Sequence, residues 1–382
     1  MLGIEQAARG ALLMSSTDVT AGPAPAPVAS DRIAWVPPAG GLLGLSLLNG
    51  LLRVLTLGIY HFWGKAEVRQ RIWSAVRVDG EPVEYRGTGG ELFRGFLMVF
   101  VLVLLPLGTI SLLGSILIDA SSPALSGLQV LFWVLVTLFW GLGIHRARRY
   151  RLSRTRWRGI RAGLTGASAP FAWTYWWTLL LVPLTLGWIL PWRTALLQRI
   201  LLNETCFGDQ AFTFTGRAGP LYRRFWLLWL GSIVLMLLAA GMIGYLSAQS
   251  LRPGAPQPLP KLTGGAIIVG IVLVGLLLFG ILRAWYGAGV LNYFASQTQY
   301  GGTRFALRAT APSLIALTVG NYLLRVLTLG TLTPIAEARS MRYIVERLSL
   351  EGHTAWEEVG QNHDALLQSG EGLAEAFNVD AF

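Results

Sequence analysis

Two arginines stand inside apolar segments, where a charge is costly and usually functional. Arg53 and Arg325 hold the same place in two copies of Leu-Leu-Arg-Val-Leu-Thr-Leu-Gly, at residues 51–58 and 323–330. Asn49 and Asn321 precede them by four residues, which puts each Asn–Arg pair on one helix face. Such a pair suits either contact with a polar solute at membrane depth or hydrogen bonds that glue helices together. No acidic residue lies in these apolar runs to neutralise the arginines. The plainer reading is that each guanidinium snorkels to headgroups or caps the carbonyls of a broken helix.

The Thr-Leu-Gly ends of the segments are the second feature. Thr185-Leu186-Gly187 is a weaker third copy, with Val182 in place of the arginine. Thr56 and Gly58, Thr185 and Gly187, and Thr328 and Gly330 are therefore expected to break helices. Broken helices coordinate ions in some transporters. A simple backbone break is the commoner outcome.

The elements that must position these residues belong to a membrane. Only 13% of the 382 residues are charged, against about 25% in soluble domains. Residues 96–118, 128–144, 225–247 and 264–282 are apolar runs with no charge, about the length that crosses a bilayer. The net charge of +11 sits in the loops between such runs. It reads as the positive charge of cytoplasmic loops, so nucleic acid is not an expected partner. The expected partner is the lipid bilayer; no protein partner is specified. The 15 tryptophans include Trp173, Trp176, Trp177, Trp188 and Trp192, which suit an interfacial belt.

Two layouts compete. Four full spans with three returning Thr-Leu-Gly segments keep the arginines of residues 192–224 on the positive, cytoplasmic side. Seven spans place them outside and produce an inverted repeat of the transporter kind. The charge rule favours four spans.

The threonines at 56, 185 and 328 are separated by 129 residues (185 − 56) and 143 residues (328 − 185). Past the first motif, Trp63 aligns with Trp192, Gly87 with Gly216 and Arg94 with Arg223. The segment around Asp79-Gly80 alternates apolar and polar residues and reads as a hairpin. Similar pieces lie at 205–214 and 348–356, and a related pair at 150–160 and 293–303. The fold class expected is an all-α polytopic membrane protein, an internally repeated helix bundle with small β-hairpins in cytoplasmic loops. Its divisions are a disordered cytoplasmic tail (1–37), a first membrane repeat (38–171), a second (172–311), and a partial third repeat with a cytoplasmic C-terminal tail (312–382).

The chain resembles the YjgN-like family of bacterial inner-membrane proteins. The resemblance rests on Thr56-Leu57-Gly58-Ile59-Tyr60-His61-Phe62-Trp63, on residues 85–95, on Ser153-Arg154-Thr155-Arg156-Trp157-Arg158-Gly159, on Asn203-Glu204-Thr205-Cys206, and on the tail 370–377. It covers roughly residues 40 to 382. It implies a multi-pass inner-membrane location and carries no catalytic or binding residue with it.

No Ser-His-Asp spacing, phosphate loop or metal-binding spacing is present, and His61, His145, His353 and His363 are scattered. Neither an enzyme, a metal nor a cofactor is expected. Glu67, Glu84, Glu91 and Glu204 read as loop ion pairs. The function expected is passage of a small solute or lipid. The alternative is a structural or assembly role without transport.

Overall fold

A computed structural model describes residues 32–119, 121–250, 261–352 and 359–360. The reading of residues 361–382 as a cytoplasmic tail lies outside the described residues, as does most of the N-terminal tail. Within that tail, Ile33–Trp35 is a strand, β1.

Among the described residues, four helices are long and apolar enough to cross a membrane. The first runs from α3 (Gly89–Val99) through a π turn (Phe100–Leu104) into α4 (Leu105–Leu117). Pro106, at the second position of α4, lacks the donor that a regular helix needs, and the π turn lies directly before it. The others are α5 (Pro123–Arg154), α8 (Gly219–Ser250) and α9 (Lys261–Ser296). Thr88 and Ser122 cap α3 and α5 by accepting from the amides of Glu91 and Ala124. At most 11% of the most apolar window of each span is buried, so these faces are left to lipid. Gly231 and Gly275 let α8 and α9 approach, because a Cβ there would meet Leu282 and Leu235. A Cβ at Gly280 would face open space instead.

Each Thr-Leu-Gly segment joins two shorter helices. These are α1 (Leu43–Leu55) and α2 (His61–Ala75), α6 (Ser168–Leu184) and α7 (Leu190–Asn203), and α10 (Ala311–Leu327) and α11 (Thr333–Val345). The 13 residues of α1 span about 20 Å at 1.5 Å per residue, short of the 30 Å hydrocarbon core. The helices of each pair fold back on one another. Asn49 reaches Gly64, Trp177 meets Trp192, and Asn321 reaches Ala336.

The expected hairpin pieces do not stand alone; their strands join into three antiparallel sheets. One sheet orders β1, β2 (Val76–Val78) and β3 (Glu81–Pro82). A five-stranded sheet orders β4 (Glu84–Tyr85), β5 (Thr155–Trp157), β6 (Ile160–Leu164), β7 (Thr205–Phe207) and β8 (Gln210–Ala211). The third orders β12 (Leu348–Glu351), β11 (Thr303–Leu307), β10 (Thr298–Tyr300) and β9 (Thr213–Phe214). Asp79-Gly80 turns β2 into β3 with φ of 46° and 82°, as the dipeptide leads one to expect. An all-α class with isolated hairpins therefore understates the β content.

Strand pairing fixes which segments return. The strands β1 and β2 flank the first helix pair and bond to each other, Ile33 opposite Val78. Likewise β6 and β7 flank the second pair, with Ala162 opposite Phe207. The third pair is flanked by β11 and β12, with Ala306 opposite Ser349. Two hydrogen-bonded strands lie on one side of a bilayer, so both ends of each helix pair lie on the same side. The pairings β4 with β5 and β9 with β10 close the two pairs of full spans in the same way. Four spans and three returning hairpins satisfy every pairing; seven spans do not.

Candidate functional site

The three breaks share one geometry. Thr56, Thr185 and Thr328 donate their hydroxyls to the carbonyls of Leu52, Leu181 and Leu324 at 2.6–2.8 Å. The same oxygens accept from the amides of Tyr60, Ile189 and Leu332, stitching the end of one helix to the start of the next. Gly58, Gly187 and Gly330 have φ of 93°, 81° and 81° and donate to the carbonyls of Arg53, Val182 and Arg325. In the first break the amides of Thr56 and Leu57 take the carbonyls of Leu52 and Val54. The carbonyls that an ion would need are engaged by backbone donors.

Between Thr and Gly stands a leucine in the left-handed region, with φ of 51°, 48° and 50° at Leu57, Leu186 and Leu329. Glycine or asparagine suits that conformation, and other side chains are strained there by about 1 kcal/mol. Yet these leucines are 95%, 64% and 93% exposed. Local backbone energy disfavours leucine, and no protein contact compensates for it at Leu57 or Leu329. Val54, Leu55, Leu184 and Leu327 extend each apolar tip.

The candidate polar residues separate rather than converge. The amide of Asn49 donates to the Gly64 carbonyl at 3.4 Å. That of Asn321 donates to the Ala336 carbonyl at 3.1 Å and the Ser340 hydroxyl at 2.9 Å. Both hold their helix pair closed. Arg53 and Arg325, one turn further on, are exposed, and their guanidinium groups make no hydrogen bond or ion pair among the described residues. Asn49 and Asn321 are engaged within their helix pair, whereas Arg53 and Arg325 are exposed. In the second pair, Arg193 lies 4.4 Å from the Tyr175 ring and Trp229 donates to the Leu186 carbonyl, tying this tip to α8.

A cluster that spacing concealed lies at the base of the second hairpin. His145, with no exposed surface, has Nδ1 3.0 Å from the Ser168 hydroxyl and Nε2 2.9 Å from the Glu204 carboxylate. These residues are 23 and 59 positions away from it along the chain. Arg149 donates to the carbonyls of Leu164 and Gly166 beside it. A Cβ on Gly166 would meet the Glu204 carboxylate, so a larger residue there would have to displace it from its place beside His145. Ser–His–carboxylate lines serve nucleophilic catalysis when open to a substrate. Here the enclosed ring bridges α5, the start of α6 and the end of α7. Of the other acids, Glu84 and Glu91 pair with Arg86 and Arg154, while Glu67 accepts from the Tyr60 hydroxyl. In the sheets, burial pushes the phenols of Tyr85 and Tyr300 above their ordinary range, so both stay neutral hydrogen-bonding groups.

Residues 32–376 match the family described as bacterial protein of unknown function (DUF898). The chain belongs to that family. The match begins at residue 32, taking in β1, somewhat earlier than the motifs alone indicate. The chain is also 29% identical over 131 residues to the inner membrane protein YjgN of Salmonella typhimurium. That match covers 34% of this chain and 30% of the relative, so the chain spans about a third of the curated protein's length. No solved structure matches. With its four apolar spans, the chain is a multi-pass protein of the bacterial inner membrane.

Proposed function

We propose that this chain is a structural protein of the inner membrane that inserts three helix hairpins into the cytoplasmic leaflet alone. The observation that carries this reading is the strand pairing around each hairpin, which makes it return to the side it left. Basic residues crowd that side: Arg146, Arg148, Arg149, Arg151, Arg154, Arg156, Arg158 and Arg161 follow the apolar run ending at Ile144 without an intervening acid. The positive-inside rule makes it cytoplasmic. The hairpin with its following strand is the repeated unit. Leu184 and Leu327 end the helix before the turn, and Thr205 and Leu348 open the strand after it, both 143 residues apart (327 − 184, 348 − 205). The asparagines that a solute path would use are bound to backbone, which favours structure over transport.

Apolar hairpins in one leaflet widen that leaflet and bend the membrane toward it. The test replaces the three tips together, Leu57→Asn, Leu186→Asn and Leu329→Asn. Asparagine suits the left-handed backbone but not the acyl chains. Overproduced wild-type protein is expected to invaginate the inner membrane, seen by electron microscopy. The triple variant, at equal membrane level, is expected to leave it flat. Equal invagination by both would remove the wedge reading. Solute flux through reconstituted vesicles that Arg53→Ala and Arg325→Ala abolish would restore the transport reading.

A further inference from the structure

A narrow cleft, with about 20 Å³ of enclosed space behind an open mouth, lies where α2, the end of α5 and α11 meet. Lys65 and Arg69 come from α2, Arg151 from α5 and Glu337 from α11. Whatever pairs form among the four, three cations face one carboxylate, and the cleft has a net positive charge. Its remaining wall is apolar: Ile72, Trp73 and Met341. Arg69 is only 8% exposed, and its guanidinium lies 5.9 Å from the Tyr85 ring. A largely desolvated guanidinium in a net positive cleft is stabilised by an anion.

Depth narrows the choice of anion. Lys65 and Arg69 follow Gly58 by 7 and 11 residues (65 − 58, 69 − 58), or about 10 and 17 Å of helical chain. One leaflet of hydrocarbon is about 15 Å thick. With the Leu57 tip among acyl chains, the cleft falls at the headgroup level, and Arg151 sits seven residues beyond the apolar run ending at Ile144 (151 − 144). A cationic rim at that depth over an apolar wall matches a phosphodiester joined to a glycerol and acyl chain. We propose that this cleft binds the phosphate of an anionic phospholipid headgroup. The inference rests on the proposed insertion of the hairpin tips into the cytoplasmic leaflet and is separate from the membrane bending drawn from it.

The probe is phosphatidylglycerol added to the delipidated full-length protein in neutral detergent, with retained lipid counted by native mass spectrometry. Wild-type protein is expected to retain it over phosphatidylcholine. Lys65→Gln and Arg151→Gln are each expected to weaken retention about fivefold, the usual effect of one basic residue near an anionic surface. Lys65→Arg is expected to preserve it. Glu337→Gln, which removes the acid, is expected to strengthen it, so the proposal stays testable if a cation variant misfolds. The control Arg53→Gln/Arg325→Gln keeps the site intact and is expected to retain lipid, as is the triple tip variant, whatever its effect on membrane shape. Unchanged retention in folded Lys65→Gln/Arg151→Gln protein would overturn the proposal. So would displacement of the lipid by millimolar inorganic phosphate, which would assign the cleft to a soluble phosphate.

Discussion

At the residue scale the informative positions are those that conflict with their local surroundings. Leucine at a left-handed backbone position is one such conflict, and it occurs three times. The sequence displays Thr-Leu-Gly plainly, but not that the leucine rather than the glycine is the unusual member. Only the torsion angles and exposure reveal that. Arg53 and Arg325 draw attention first because charge is conspicuous in an apolar run, yet they are exposed while the asparagines hold the hairpins closed. His145 is the opposite case, since its partners are remote in sequence and no motif joins them. Removing it leaves the Glu204 carboxylate and the Ser168 hydroxyl without their shared partner. His145→Ala is expected to lower stability by about 2–4 kcal/mol, the usual cost of breaking a buried polar network. Denaturation midpoints in detergent measure it; a change below about 0.5 kcal/mol would show that the bridge does not hold α5 to the second hairpin.

At the scale of elements, what could be read from sequence follows from periodicity and length. The spans announce themselves as charge-free runs, and Asp79-Gly80 announces a turn. Strand partners do not, because two- and three-residue strands carry almost no register signal of their own. Their pairing depends on where the helices deliver them. This is why hairpins expected singly turn out to be strands of three sheets, and why β1 lies in a segment rich enough in proline and alanine to read as tail. The pairing of β11 with β12 can be tested directly. Ala306 and Ser349 are opposite one another. With Cys206→Ser removing the native thiol, Ala306→Cys/Ser349→Cys is expected to form a disulfide on mild oxidation, since facing Cβ atoms lie within bridging range. Oxidation that leaves both thiols free, with mass spectrometry as the readout, would deny that the third hairpin returns.

At the scale of the whole molecule, the spans and hairpins obey one rule: every strand lies on the same side of the bilayer. The charge distribution in the sequence already favours that arrangement, but alone it leaves seven spans open. The sheets decide between them, because β6 and β7 bond across the second hairpin. The lone Cys206 is itself buried in β7 and is a poor topology probe, so a neighbouring exposed position serves better. Ala211, exposed in β8, follows the second hairpin and is the position that the two layouts assign to opposite sides. In a Cys206→Ser background, Ala211→Cys would be treated with a membrane-impermeant maleimide in spheroplasts, with Ser121→Cys between the first two spans as the external control. The account predicts that Ser121→Cys labels at once and Ala211→Cys only after the membrane is permeabilised. Labelling of Ala211→Cys in sealed spheroplasts, as fast as Ser121→Cys, would contradict the four-span layout and the one-leaflet hairpins with it.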